Sequence, residues 1–212
     1  TGSPTLALNI GGTTVQADYF SGSGSDSKTL TFKYTILAGQ ADSDGISIDA
    51  SGTGSSSLQL NGGTLKDAAG NNVTLAHAPV VNNAGYLVDT LAPTLSISRG
   101  DVATLKVGQT AAITFTFSED PLDSFNASDI TLSGGTLSAL VGTGLTRTAT
   151  FTPTSESTGT ASVSVANGRY TDAAGNLGAG FAMPTISVDT QVPTVQSIAI
   201  TSAEGIVNKI LN

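Results

Sequence analysis

The stretch VDTLAPTLSI (88–97) returns almost unchanged as VDTQVPTVQSI (188–198), and its aspartates, Asp89 and Asp189, are one hundred residues apart. Each copy places an acidic residue before a proline and a segment rich in β-formers, the pattern of a linker that leads into a strand. A period near one hundred residues fits one β-sandwich and far exceeds the repeats of solenoid proteins. The spacing predicts stacked β-domains with one copy of the phrase at each joint.

Further parallels support this arrangement and set the expected domain boundaries. DAAGN occurs twice, at 67–71 and 172–176, inside a longer similarity of 60–72 to 165–177. Two more pairs of segments align: LALNIGGTTV (6–15) with DITLSGGTLS (129–138), and KTLTFKYTI (28–36) with TRTATFTPT (146–154). We therefore predict a repeat at 1–89 that lacks its first strands, a complete repeat at 90–189, and the opening strand of a third at 190–212.

The fold class follows from short alternating segments separated by turns rich in Gly, Ser, Asn and Asp. No stretch has the apolar 3.6-residue period of a long helix or the length of a membrane span. The segments predict an all-β fold of tandem Greek-key sandwiches, arranged end to end. In the first repeat the predicted strands are 5–10, 13–20, 29–36 and 56–60. In the complete repeat they are A (94–98), B (111–117), C (129–133), D (137–141), E (147–153), F (160–170) and G (181–189).

Composition excludes several classes of partner. Sixteen acidic against eight basic residues give a formal net charge of −8, so no basic surface is expected to bind nucleic acid or an anionic membrane. The absence of cysteine excludes disulfides and thiolate metal sites. The acidic excess serves solubility, or it marks carboxylates that are clustered around cations.

The predicted topology brings acidic residues to one pole of the complete repeat. Strands alternate in direction, so the B–C and F–G loops lie at the pole where strand A begins. Asp89 precedes strand A, Glu119 and Asp120 stand in the B–C loop, and Asp172 stands in the F–G loop. Calcium takes six to eight oxygen ligands, which several loops can supply together. The sequence therefore predicts a Ca²⁺ site at this joint.

The preceding repeat adds two more candidates. Its loop AGQADSDGIS (38–47) carries Asp42 and Asp44, which the topology directs toward the same joint. No Lys or Arg occurs within 117–129 or 39–50 to neutralise these loops locally. The loop is not an EF-hand, because the bidentate Glu of that motif is missing.

Each acidic residue also has a plainer interpretation, which the sequence leaves open. DAAGN is also a turn sequence, with Asp at its first position and Gly supplying a positive φ. Asp42 and Asp44 also fit a solvated loop. Asp120, together with Asp123 and Asp129, also fits the start of a turn or the cap of a strand.

The order of these motifs is that of a known family. VDTLAPTLSI…ITFTFSED…DITLSGGTLSAL…TATFTPT…YTDAAGNLG…ISVDTQVPTV resembles the bacterial immunoglobulin-like repeats of giant secreted adhesins. The resemblance covers 89–190 as a full repeat, 5–88 as the later part of a related one, and 191–212 as the start of a third. It implies a stalk of β-sandwiches, calcium at the joints and secretion to the cell surface. By position it assigns five acids to calcium: Asp67, Asp89, Glu119, Asp172 and Asp189.

These observations predict a structural spacer of a bacterial surface adhesin, extracellular and stiffened by Ca²⁺. Its expected partners are neighbouring repeats of the same chain, with strand complementation by another chain as a further possibility for the incomplete repeats. An adhesive module for glycan or protein is the alternative, but tryptophan is absent and no cluster of aromatics stands out. We expect no enzyme, because His77 is the only histidine and no G-x-S-x-G elbow occurs.

Overall fold

The computed structural model describes residues 2–20, 29–49 and 57–198, which belong to two compact units. The first unit comprises Thr1–Pro93 and Thr171–Gly178, and the second Thr94–Tyr170 and Ala179–Asn212. In the described residues the regular structure is strand, apart from two single turns of 3-10 helix at Leu122–Ser124 and Ala127–Asp129. The predicted all-β class is confirmed.

The first unit is built on an antiparallel sheet. Its strands are β1 (Thr5–Ile10), β2 (Thr13–Tyr19), β3 (Phe32–Lys33), β4 (Ala41–Asp42), β5 (Leu58–Gln59) and β6 (Val88–Asp89). The sheet has the order β3-β2-β1-β5, and β4 pairs separately with β6. Ile10, Ala17 and Val88 are buried, whereas Val81 and Tyr86 are 75% and 64% exposed. The described part of this unit thus has only a small apolar core.

The second unit is a sandwich of two sheets. Its strands are β7 (Leu95–Ser98), β8 (Thr104–Lys106), β9 (Ala111–Phe117), β10 (Ile130–Ser133), β11 (Gly135–Leu137), β12 (Thr146–Pro153), β13 (Thr158–Val165), β14 (Phe181–Ala182) and β15 (Ile186–Asp189). One sheet has the order β11-β12-β9-β7 and the other β10-β13-β15-β8, with β14 also paired to β13. This is the immunoglobulin arrangement, with strands A, B, D and E in one sheet and C, F and G in the other.

Alternation of side chains explains the core of the second unit. Along β9 (AAITFTF) every second residue is buried, and Ile113 and Phe115 are fully enclosed. Phe151 from β12 and Val163 from β13 belong to the same apolar cluster. Because one face of each strand is apolar, a shift of one residue in register would expose the whole set.

An aromatic cluster in the second unit includes a residue of the loop after β9 and the residue that precedes the segment 171–178. Phe125, in the loop after β9, packs against Phe117 and Tyr170 with ring centroids 4.9 Å and 6.1 Å away. The hydroxyl of Tyr170 donates to the carbonyl oxygen of Ala179 at 2.9 Å. This hydrogen bond joins the residues on either side of the segment 171–178.

Most predicted strands of the sandwich lie within a few residues of their predicted positions, but β8 was missed. Its three residues are too few to show an alternating pattern of polar and apolar side chains in the sequence. Its parallel pairing with β15 is a long-range contact that the sequence does not reveal. Strand D was expected at 137–141 and is found at Gly135–Leu137.

Strand D is shifted because the two aligned Gly-Gly pairs have different structural roles. Gly11 and Gly12 have φ of +53° and +81° and form the two-residue turn of the β1–β2 hairpin. The aligned pair, Gly134 and Gly135, instead carries the chain from one sheet to the other, because β10 pairs with β13 and β11 with β12. A Cβ on Gly135 would lie 2.3 Å from the Thr152 carbonyl oxygen, so only glycine fits there.

The threonine of each VDT phrase anchors the last strand of its unit. The Thr190 hydroxyl donates to the Thr154 carbonyl oxygen at 2.7 Å and accepts from the Ser157 amide at 3.0 Å. In the first unit the Thr90 hydroxyl donates to the Gln40 carbonyl oxygen at 2.8 Å. The shared phrase therefore has a structural role in both units.

We predict that Thr190→Val lowers the free energy of unfolding of the second unit by about 0.5–1.5 kcal/mol, because it removes the part-buried hydrogen bonds of the hydroxyl to Thr154 and Ser157. Urea unfolding followed by far-UV circular dichroism measures the change. Thr190→Ser keeps the hydroxyl and should lose much less. Thr116→Val, at an exposed position on β9, is the control for the same replacement, and an equal loss in both valine variants would contradict the anchoring role.

Candidate functional site

The loop DAAGN at 172–176 is a tight turn built around the Asp172 carboxylate. Asp172 Oδ1 accepts from the Asn176 amide, and Oδ2 accepts from Asn176 Nδ2, both at 2.9 Å. Gly175 has φ of +90°, which glycine adopts without strain. The turn interpretation is thus correct for this loop. It does not exclude metal binding, because Oδ2 accepts the Asn176 hydrogen bond with one lone pair and keeps a second.

The first DAAGN loop, at 67–71, repeats this geometry. Asp67 Oδ1 accepts from the Asn71 amide at 2.8 Å, and Oδ2 accepts from Asn71 Nδ2 at 2.9 Å. The Asn71 hydrogen bonds are the leading cause that lowers the pKa of Asp67. Asp67 is exposed, whereas Asp172 is only 5% exposed. The two loops therefore share a fold but differ in their surroundings.

Asp172 remains a carboxylate despite its burial. Burial raises its pKa, but the hydrogen bonds from Asn176 and from the loop amides outweigh that effect and hold the pKa below its usual value. A buried group that stays ionised is suited to a cation.

Asp89 approaches Asp172 within the first unit. Its side chain is exposed, and Oδ1 accepts from the Leu91 amide at 3.0 Å. Its carbonyl oxygen accepts from Asn176 Nδ2 at 3.2 Å. Asp89 and Asp172 each offer a carboxylate oxygen within 4.8 Å of the other. Two of the residues that the sequence predicted as ligands are thus brought together.

Asp42 and Asp44 accept hydrogen bonds from their own loop and from other segments of the first unit. Asp42 is 3% exposed, and its carboxylate accepts from the amides of Gly11 at 2.9 Å and Gly45 at 2.7 Å. The Gly11 hydrogen bond is the leading cause that lowers the pKa of Asp42. Asp44 is exposed and accepts from the Asn82 side chain. Asp42 therefore ties the β1–β2 turn to β4, and its role as a ligand stays a prediction.

The acidic residues of the second unit have separate surroundings. Asp120 pairs with the buried Arg147 at 3.4 Å, a cation that the local sequence did not reveal because it comes from β12. Asp129 caps a 3-10 turn by accepting from the Asn126 amide at 2.8 Å. Glu119 is half-buried directly after β9. Asp189 is exposed and accepts from the Gln191 amide at 3.3 Å, as Asp89 does from Leu91.

Residues 89–189 match the family described as the bacterial Ig-like domain, over just under half of the chain. This segment is a bacterial Ig-like domain. Comparison with curated proteins and with solved structures gives no match. Such domains are structural or surface modules, generally extracellular and typically without catalytic activity. In the described residues, no helix has the length and apolar character needed to span a bilayer.

His77, the single histidine of the chain, lies outside this Ig-like domain. Its described neighbours do not form a catalytic triad. The Ser57 hydroxyl oxygen lies 2.6 Å from Nε2, but Nδ1 faces the Ala78 carbonyl oxygen at 2.7 Å, where a triad would place a carboxylate. Ser57 is also buried. Among the described residues, no acid therefore orients His77 as a catalytic triad requires.

One surface hollow of the first unit, of about 440 Å³, is lined in part by the aromatic residues Tyr19, Phe20 and Tyr34, the kind of lining that a glycan-binding module would need.

Two hollows of the second unit give that alternative no support. A groove of about 290 Å³ in the Ig-like domain is lined by small and aliphatic residues such as Ile130, Leu132 and Leu137. A second hollow, of about 390 Å³, includes Val107, Glu156 and other non-aromatic residues. Neither offers the aromatic platform expected for a sugar.

Acid is expected to destabilise the calcium-free protein partly through Asp172. Because its folded pKa lies below the ~3.9 of an unfolded aspartate, the unfolded chain binds the proton first. The stabilisation is therefore present above about pH 5 and lost as the pH falls through the folded pKa. We predict that the melting temperature, followed by circular dichroism in chelator, falls less steeply below pH 5 in Asp172→Asn than in the wild type. Asp101→Asn is the exposed control, and a slope in Asp172→Asn equal to the wild type's would refute the assignment.

Proposed function

We propose that this chain is a structural spacer of a bacterial cell-surface adhesin, in which Ca²⁺ bound at the joint between Ig-like repeats stiffens a tandem array. The proposal is supported chiefly by the approach of the Asp89 and Asp172 carboxylates to within 4.8 Å. Asp89 belongs to the repeated VDT phrase and Asp172 to the repeated DAAGN loop. The pair thus joins the two motifs that recur along the chain.

The charges of this pair call for a cation. Two like charges near 4 Å repel by about 1 kcal/mol in water and about 4 kcal/mol at an effective dielectric constant of 20. Within the described residues, no basic side chain forms an ion pair with Asp89 or Asp172, so neither charge is neutralised in that way. A divalent cation between two carboxylates converts this repulsion into attraction.

Calcium suits these ligands better than a transition metal does. Carboxylates and carbonyls are hard oxygen donors, and the chain has neither cysteine nor a second histidine. In the proposal Glu119, which the sequence assigns to the same joint, is a third ligand, and water and backbone carbonyls complete the shell. Asp67 and Asp189 are proposed to serve the neighbouring joints by their equivalent positions.

Stiffening follows from selective binding. An ion that binds only the aligned arrangement of linker and loop stabilises it by about 2.7 kcal/mol at a hundredfold excess over its Kd. Extracellular calcium modules bind with Kd of about 10⁻⁴–10⁻³ M, which suits millimolar surroundings. The array would then be stiff outside the cell and hinged in chelator, with neighbouring repeats as its partners.

Calorimetric titration tests the proposal. We expect saturable Ca²⁺ binding by the wild type, a higher melting temperature in calcium than in chelator, and slower proteolysis at 86–94. Asp89→Asn and Asp172→Asn should each weaken binding at least tenfold, because each removes a charged ligand. Asp101→Asn removes an exposed charge elsewhere and should bind as the wild type does.

Two results would count against the proposal. If the wild type does not bind calcium in the millimolar range, the VDT phrase is reduced to its structural role. If it binds but small-angle scattering gives the same profile in calcium and in chelator, calcium does not stiffen the joint.

A further inference from the structure

One side chain contacts both members of the candidate calcium pair. The two hydrogens of the Asn176 carboxamide are directed to two acceptors: Asp172 Oδ2 at 2.9 Å and the Asp89 carbonyl oxygen at 3.2 Å. Its backbone amide holds Asp172 Oδ1 as well. Asp89 and Asn176 are 87 residues apart in sequence, so this contact is made only in the folded chain.

The first DAAGN loop provides an internal comparison. Asn71 holds Asp67 with the same two hydrogen bonds, from its backbone amide and from its carboxamide. The second hydrogen bond of Asn176, to the linker carbonyl, is therefore an addition to the common loop geometry. Asn176 is also half-buried, whereas Asn71 is exposed.

We propose that Asn176 is a positioning residue, which latches the linker at Asp89 to the loop that carries Asp172 and so prearranges the two carboxylates for calcium. The calcium part rests on the proposed function, but the latch does not, because its contacts are made without an ion. A ligand pair held in place before binding does not have to be ordered by the ion. Partners of this kind typically change metal affinity by tenfold or more when they are removed.

By holding the linker near the loop, Asn176 keeps the like charges of Asp89 and Asp172 close together. Its carboxamide also reduces the repulsion between them. Its Nδ2 group places positive hydrogens beside the Asp172 carboxylate and the Asp89 carbonyl, both of which are acceptors. Without this group, the linker would be free to move away from Asp172, and the like charges would favour that movement.

The test compares Asn176→Ala with Asn71→Ala, which removes the matching hydrogen bond from the loop without the linker contact. In chelator, hydrogen–deuterium exchange of peptides covering 88–92 should become about tenfold faster in Asn176→Ala and stay unchanged in Asn71→Ala. In calorimetry, Asn176→Ala should raise the calcium Kd about tenfold, whereas Asn71→Ala should change it less than about twofold at this site.

Each outcome decides a different point. Unchanged exchange in Asn176→Ala would overturn the latch. Faster exchange with an unchanged Kd would overturn the positioning role and leave a purely structural contact. If the wild type binds no calcium, the proposed function fails, while the exchange experiment still decides the latch. If circular dichroism shows that Asn176→Ala is unfolded, Asn176→Ser replaces it. The serine hydroxyl is too short to reach the Asp89 carbonyl oxygen, so the same exchange and Kd results are expected.

Discussion

The approach of two carboxylates, Asp89 and Asp172, is the constraint on which the proposed function of this chain depends. Each is placed by a repeated motif, and the Asn176 carboxamide contacts both. Such a pair is unfavourable alone and favourable with a divalent cation. In the proposed function, the joint is therefore an element whose order depends on an ion.

The two ends of the loop that carries Asp172 are held close together. Phe117 and Phe125 pack on Tyr170, whose hydroxyl closes the base of the loop at 171–178 by bonding to Ala179. Burial raises the pKa of Tyr170 to about 12, so this donor keeps its proton at any physiological pH. The core thus fixes both ends of a loop whose middle carries the charge.

Much of the fold was predictable from the sequence, because strands such as β1 and β9 alternate regularly over six or seven residues. The proximity of Asp89 and Asp172 was also predictable, since it followed from strand order and repeated motifs. What depends on long-range contacts was not: the parallel pairing of β8, the reach of Arg147 to Asp120, and the contact of Asn176 with Asp89. The different courses of the two Gly-Gly pairs depend likewise on which strands become neighbours.

The most direct test of this account is a crystal structure of the protein grown in millimolar calcium, with anomalous differences measured to locate the ion. The account predicts an anomalous peak about 2.3–2.6 Å from one carboxylate oxygen of Asp89 and one of Asp172. If the ion binds elsewhere, or if the two carboxylates are bridged by water alone at saturating calcium, the joint is not the calcium site and its stiffness has another origin.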